Sequence, residues 1–196
     1  MSQVFENLSE EKKSRILNAA FEVFGKYGYH KASINDIAKL ACISKASLFY
    51  YFENKESLYF YLYDFATLSI AARMQEGTED LFECIRLSTR LKFEIFKKYP
   101  SMYGFLKSIV FEDDTVLSQL KLRNTETIAE ANRLLFKNVD WNRLLISDFK
   151  EVMNLLSWVS EGCIKANAHL TSEEIVTEVN KYLNYLKKAL YKEEFL

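Results

Sequence analysis

The chain has 196 residues, 49% of them hydrophobic, and a formal net charge of −1 at pH 7. This apolar content supports a sizeable core, and one Pro and five Gly are too few turn-forming residues for an all-β protein. No apolar run reaches the roughly 18 residues of a membrane span, and the N-terminus lacks the hydrophobic segment of a signal peptide. We therefore expect a cytoplasmic protein that has no membrane partner.

The cysteines and histidines give no indication of a metal or catalytic site. Cys42, Cys84 and Cys163 lie far apart without a CxxC pair, so we expect reduced thiols. His30 and His169 have no metal-ligand spacing to cysteines or carboxylates, and neither a GxSxG motif nor a nucleotide-binding glycine pattern occurs. We expect no catalytic residues, no metal and no other cofactor, and hence not an enzyme.

The N-terminal part of the chain is divided into short helices, each preceded by a capping residue. The capping residues are Ser9, Ser33, Ser44 and Asn54. The first helix has an apolar stripe at helical spacing and ends near Gly28; the stripe consists of Ile16, Leu17, Ala20, Phe21 and Phe24. The second and third helices are short and meet at a turn of about three residues, which predicts a helix-turn-helix at 33–52.

Beyond residue 58 the predicted helices are longer and richer in aromatic residues. They span 55–75, 79–98, 102–111, 115–137, 142–167 and 172–192. The sequence therefore predicts an all-α fold of about nine helices. A three-helix, helix-turn-helix head occupies residues 1–55, and a helical body occupies residues 56–196.

The stretch from Arg15 to Leu58 carries several short motifs in a fixed order. They are Ile-Leu-x-Ala-Ala-x-x-x-Phe, Gly28-Tyr29, Ser33-Ile34-x-x-Ile37-Ala38, Ile43-Ser44-Lys45, Leu48-Phe49-Tyr50-Tyr51-Phe52 and Asn54-Lys55-Glu56-x-Leu58. Together they resemble the DNA-binding head of the tetracycline-repressor (TetR) family. The resemblance implies a homodimeric transcriptional regulator that binds double-stranded DNA and has a body enclosing a pocket for a small-molecule effector. Cys42 stands where the family commonly has Gly.

The third helix is the candidate recognition helix. Its N-terminal end would enter the major groove, where small and polar residues can approach base edges, and Lys45, Ala46 and Ser47 suit that position. Ser33 and Lys55 begin helices, where free backbone N–H groups favour a phosphate. With the phosphate contacts that the resemblance adds, the candidate DNA-binding residues are Ser33, Asn35, Lys45, Ala46, Ser47, Phe49, Tyr50, Tyr51 and Lys55.

Two of these assignments have competing interpretations. Ser33 would be chosen as a helix cap with or without DNA nearby. Phe49 stands where the family usually has Tyr, and its side chain either contacts DNA or packs within the protein.

The resemblance also implies that the last two helices pair with their symmetry mates as a four-helix bundle. The helix at 142–167 is apolar on more than one face, which fits a second partner, although both helices could serve the chain's own core. The candidate interface residues are Val152, Leu156, Val159, Cys163, Val179, Tyr182, Leu183 and Leu186. The candidate lining of the effector pocket, which could equally be core, is Tyr63, Phe82, Phe93, Phe96, Tyr103, Phe111 and Trp158.

From these patterns we expect a ligand-responsive DNA-binding regulator, a repressor that a small hydrophobic effector releases from a palindromic operator. Two alternatives stay open: a DNA-bound regulator of the same fold without a small-molecule ligand, and a helical protein-interaction module.

Overall fold

The computed structural model describes residues 3–73, 78–123, 125–146, 148–167 and 169–196, and only the backbone of residues 3, 71, 93, 121, 123 and 172. Its α-helices are α1 (Gln3–Glu6), α2 (Glu10–Lys31), α3 (Ile34–Leu40), α4 (Lys45–Phe52), α5 (Lys55–Ala71), α6 (Leu81–Lys98), α7 (Met102–Ile109), α8 (Asp114–Arg123), α9 (Thr125–Leu135), α10 (Phe149–Ala166) and α11 (Ser172–Leu190). Short 3-10 turns lie at Trp141–Arg143 and Glu193–Phe195. The predicted all-α fold is confirmed.

The helix bounds differ most from the prediction at residues 3–6 and at the start of α10. Helix α1 was not predicted. Over the predicted helix at 115–137 the described residues form α8 and α9, and residue 124 between them lies outside the described residues. The predicted helix at 142–167 begins only at Phe149, because the Asp148 carboxylate caps it there, accepting hydrogen bonds from two backbone N–H groups at 2.8 and 3.2 Å.

The chain divides into two compact units, Met1–Ile70 with Phe93–Ala131 and Ala71–Lys92 with Asn132–Leu196. We call them unit 1 and unit 2. The helix-turn-helix lies in unit 1. The domain boundary predicted at residue 55 separates a DNA-binding region from an effector-binding region, and it does not coincide with the boundary between these two units. It stays a prediction.

Unit 1 is organised around α2, which packs against α3 and α7. The apolar stripe predicted for α2 is buried. A Cβ at Gly25 would lie 2.8 Å from the backbone nitrogen of Phe105, so the absence of a side chain allows the close contact of α2 with α7. Aromatic rings fill the adjacent space, with Phe24 and Phe105 at centroid distances of 4.9 and 5.3 Å from Tyr59.

Helix α1 covers one side of the helix-turn-helix. Phe5 is fully buried, and its ring lies 4.6 Å from that of Phe52 and 5.4 Å from that of Tyr61. The Tyr61 hydroxyl donates to the carboxylate of Glu6 at 3.1 Å. Phe5 therefore belongs to the core of this unit.

Unit 2 contains α10 and α11, which pack against each other. At the end of α11 the buried Tyr191 hydroxyl accepts a hydrogen bond of 2.9 Å from the backbone N–H of Leu81. Lys187, on α11, forms a 2.5 Å ion pair with Asp80, the residue before Leu81. An antiparallel bridge joins Leu144 to Tyr191. Among the residues described, no helix is both long and apolar enough to cross a membrane.

Candidate nucleic-acid interface

The turn between α3 and α4 is fixed by hydrogen bonds of three kinds. The Ser44 hydroxyl accepts from the backbone N–H of Ser47 at 2.9 Å and so caps α4. The backbone N–H of Ile43 donates to the carbonyl of Ala38 at 3.0 Å, as expected for a helix that ends in a left-handed residue. The left-handed residue at the end of α3 is Cys42, whose φ is 52°. Arg15 Nε on α2 donates to the Ala41 carbonyl at 2.9 Å and ties the turn to the rest of the unit.

Helix α4 has one face in the core and one in solvent. Leu48 and Phe52 are buried, as their spacing predicts. Lys45 and Ala46 at the first turn are exposed, and Ser47 is half-buried with its hydroxyl 2.8 Å from that of Ser44. The start of α4 is therefore free of bulky side chains that would keep it from a groove.

Two aromatic residues continue the solvent face of α4. Tyr50 is 65% exposed, so its hydroxyl is available to a partner. Phe49 is 36% exposed, and the ammonium of Lys45 lies 5.6 Å from its ring centroid. This places Phe49 beside the candidate base-contacting residues and outside the core.

Tyr51 does not share this face, and its predicted assignment to the phosphates requires correction. It is 6% exposed, its ring lies 5.9 Å from that of Phe5, and the ammonium of Lys12 lies 5.6 Å from its centroid. Tyr51 follows Leu48 by three residues and so faces the same way. The covering residue, Phe5, belongs to the helix that the sequence patterns did not predict.

The other candidate phosphate contacts lie at helix starts. Ser33 caps α3, its hydroxyl accepting from the backbone N–H of Asp36 at 3.4 Å, and Asn35 is exposed. Lys55 is half-buried and donates to the carbonyl of His30 at 2.9 Å. Burial lowers the pKa of Lys55.

One residue that supports this surface was not assigned a role from the sequence. Arg15 lies within the motif-bearing stretch, but its bond to the Ala41 carbonyl spans 26 positions of the chain. No local pattern indicates such a contact, because it depends on how α2 packs against α3.

The aromatic residues predicted to line an effector pocket are not all placed alike. Tyr63, Phe96 and Tyr103 are partly buried in unit 1, whereas Phe82 is fully buried in unit 2. The side chain of Phe93 lies outside the described residues. Phe111 is 53% exposed and lines an open surface pocket with residues of α2 and α7, and Trp158 is 67% exposed, so neither lines an enclosed pocket. Phe111 lies in the turn after α7, and Trp158 lies on the exposed side of α10.

The predicted interface residues on α10 and α11 also differ in their exposure. Val152, Leu156, Cys163 and Leu183 are buried within the chain, so they cannot be surface contacts and the prediction is corrected for them. Val159, Val179 and Leu186 are half-buried, and Tyr182 is exposed. Further large exposed side chains on these two helices are Phe149, Trp158 and Tyr185. We call Trp158, Tyr182 and Tyr185 the outer aromatic face.

Comparison with known proteins gives a family match over the helix-turn-helix. Residues 16–62 match the model of the bacterial regulatory proteins of the tetR family. The HTH-type transcriptional regulator RutR of Escherichia coli is 36% identical over 91 residues, which cover 45% of this chain and 43% of RutR. The fatty acid metabolism regulator protein of Bacillus subtilis is 29% identical over 126 residues, which cover 63% of this chain and 60% of that relative. The chain thus matches less than half of the length of RutR.

Solved structures share the fold over nearly the whole chain. A putative TetR-family regulator from a Rhodococcus species superposes with a TM-score of 0.65 at 14% identity, covering 90% of this chain and 98% of that one. The fatty acid degradation regulator FadR of Bacillus halodurans gives 0.60 at 18% identity, covering 86% and 96%. The exposed start of α4 and the capped turn before it both lie in the segment that matches the tetR family, so this chain carries an N-terminal segment similar to that of the bacterial regulatory proteins of the tetR family, and its fold is that of the solved TetR-family structures.

Proposed function

We propose that the protein is a transcriptional regulator that binds double-stranded DNA through α4. The observation that carries the proposal is the start of this helix, where Lys45 and Ala46 are exposed behind a Ser44 cap. A helix presented in this way fits the major groove, and a lysine there can donate to guanine acceptors or to a phosphate. Such a protein would act in the cytoplasm, without a catalytic role.

The neighbouring residues would hold α4 in register. Ser33, Asn35 and Lys55 lie at or near helix starts, where N–H groups and positive charge suit phosphate oxygens. Tyr50 would reach a phosphate with its exposed hydroxyl, and Phe49 would contact DNA through its ring. Tyr51 is left out, because it is buried.

The test is DNA binding by the purified chain, measured by fluorescence anisotropy on duplexes from its own promoter region and on unrelated duplexes. Lys45→Ala should weaken promoter binding by about tenfold, because one good base contact contributes about 1–3 kcal/mol. Lys97→Ala, which removes an exposed positive charge on α6, is the control and should bind like wild type. Equal losses in both variants would contradict the assignment to α4.

We further propose that two copies pair through the outer aromatic face of α10 and α11. Exposed aromatic residues on two adjacent helices are unusual for a free surface and typical of protein contacts. A dimer would place two recognition helices on the two halves of a palindromic operator. Its test concerns the whole molecule and is given in the Discussion.

A small hydrophobic effector would release this repressor from its operator. Tyr103 supports this, because its hydroxyl is buried without a hydrogen-bond partner among the described residues, which favours an added partner. Phe96 lies against it, at a centroid distance of 5.9 Å. A thermal-shift screen of small apolar compounds, fatty acids included, should find compounds that stabilise the protein and lower its promoter affinity. Binding without any change in promoter affinity would instead support a regulator that has no effector.

A further inference from the structure

Two carboxylates in the turn after α7, those of Glu112 and Asp113, contact the C-terminal end of α2. The backbone N–H of Tyr29 donates to Oε1 of Glu112 at 2.6 Å, and Nε2 of His30 lies 2.7 Å from Oδ2 of Asp113. Both contacts span 83 positions of the chain. Tyr29 and His30 lie at the end of α2, after the kink at Gly28 and shortly before Ser33, the first candidate phosphate contact.

The backbone of α2 is shaped to receive this carboxylate. Gly28 has a φ of 70°, in the left-handed region that favours glycine. A Cβ at this position would lie 3.2 Å from Oε1 of Glu112. Glycine therefore meets two demands here, the turn of the chain and the approach of the Glu112 side chain.

Helix α5 contacts the same carboxylate from the other side. The Tyr59 hydroxyl donates to Oε1 of Glu112 at 3.2 Å, and Tyr59 is fully buried. Burial and the Glu112 charge raise the pKa of Tyr59, so it remains a donor. One turn earlier, Lys55 donates to the carbonyl of His30 and lies 5.1 Å from the ring centroid of Tyr29. Burial lowers the pKa of Lys55, and the Glu112 charge offsets part of this effect.

We propose that Glu112 is a positioning residue for DNA binding, which sets where α3 and Lys55 are presented to the phosphates. Ser33 follows Tyr29 by only four positions, so a change in the bond to the Tyr29 N–H displaces the start of α3. The inference rests on the proposed DNA-binding function.

The experiment compares Glu112→Ala, Glu112→Gln and the control Asp114→Asn, with anisotropy on promoter and unrelated duplexes at one fixed salt concentration. Removal of a negative charge by itself strengthens binding to DNA. Glu112→Ala should nevertheless weaken binding to both duplexes by about tenfold, within the range usual for coupled sites. Glu112→Gln keeps an acceptor for the Tyr29 N–H and should recover most of the loss. Asp114→Asn, with the same change of charge two positions away, should bind at least as well as wild type.

Two further measurements keep the test decisive if Glu112→Ala is poorly folded. Tyr59→Phe removes only the second donor to Glu112 and should weaken binding in the same direction by a smaller factor. Amide hydrogen exchange should rise at Tyr29 in Glu112→Ala and remain as in wild type in Asp114→Asn.

Unchanged or stronger DNA binding by Glu112→Ala would overturn the inference. A failure of Glu112→Gln to recover binding would overturn it too, because the requirement would then be the charge and not the position of Tyr29. If wild type binds neither duplex, the proposed function itself fails, and this outcome is distinct from a wild type that binds and variants that bind equally.

Discussion

Cys42 occupies the left-handed turn residue between α3 and α4 with an exposed side chain. A residue with a Cβ is strained there, and glycine is not. The thiol makes only a long contact, 4.0 Å, to the carbonyl of Leu40. The strain is thus local and should be relieved by one substitution.

We expect Cys42→Gly to raise the free energy of unfolding by up to about 1 kcal/mol, the relief of strain being partly offset by the greater freedom of glycine in the unfolded chain. Urea unfolding followed by circular dichroism measures the change. Cys42→Ala removes the thiol but keeps the Cβ, so it should give no such gain. A gain of equal size in both variants would assign the effect to the thiol.

At the scale of elements, the contact between α2 and α7 depends on a single missing side chain. A Cβ at Gly25 would meet backbone atoms of Gly104 and Phe105 at 2.8 to 2.9 Å, and a backbone cannot move aside as a flexible side chain can. A Cβ at Gly104 would meet nothing within 4 Å. Gly25 and Gly104 are therefore a matched pair for substitution, because an added Cβ is blocked at Gly25 and has room at Gly104.

We expect Gly25→Ala to destabilise the protein by about 1–3 kcal/mol, because the two helices must move apart. Gly104→Ala should be neutral or stabilising by up to about 1 kcal/mol, since alanine favours a helix. Thermal unfolding of the two variants, side by side with wild type, measures the difference. Similar losses in both would show that helix separation is not the cause.

The sequence indicated these elements wherever a local signal existed. Ser33 and Ser44 were identified as caps, and the stripe on α2 was placed in the core, because capping and helical spacing involve neighbours in the chain. The spacing of Tyr51 from Leu48 indicates an inward position, but no local signal indicates that Phe5 covers it. The exposure of Trp158 could not be foreseen, because an apolar residue on a two-sided helix can face inward or outward.

At the scale of the whole molecule, Trp158 should decide the oligomeric state. It is the most exposed member of the outer aromatic face, and Trp→Glu would place a charge where two copies meet. We expect a dimer for wild type and a monomer for Trp158→Glu by analytical ultracentrifugation. The Tm of wild type should rise with protein concentration, and that of the variant should not.

The control for this experiment is Leu122→Glu. Leu122 on α8 is even more exposed than Trp158 and lies outside the outer aromatic face, so the variant should remain a dimer. A dimeric Trp158→Glu would contradict the proposed interface. Loss of the dimer in both variants would indicate a general effect of the added charge.

Gly28 and Glu112 have a consequence for how this gene can change over time. The backbone at Gly28, with φ 70° and ψ 176°, is open to glycine almost alone, and a Cβ there would also press on the Glu112 carboxylate. Shortening the residue at position 112 removes only the second of these obstacles. Among descendants of a common ancestor, position 28 should therefore stay glycine even where position 112 has changed.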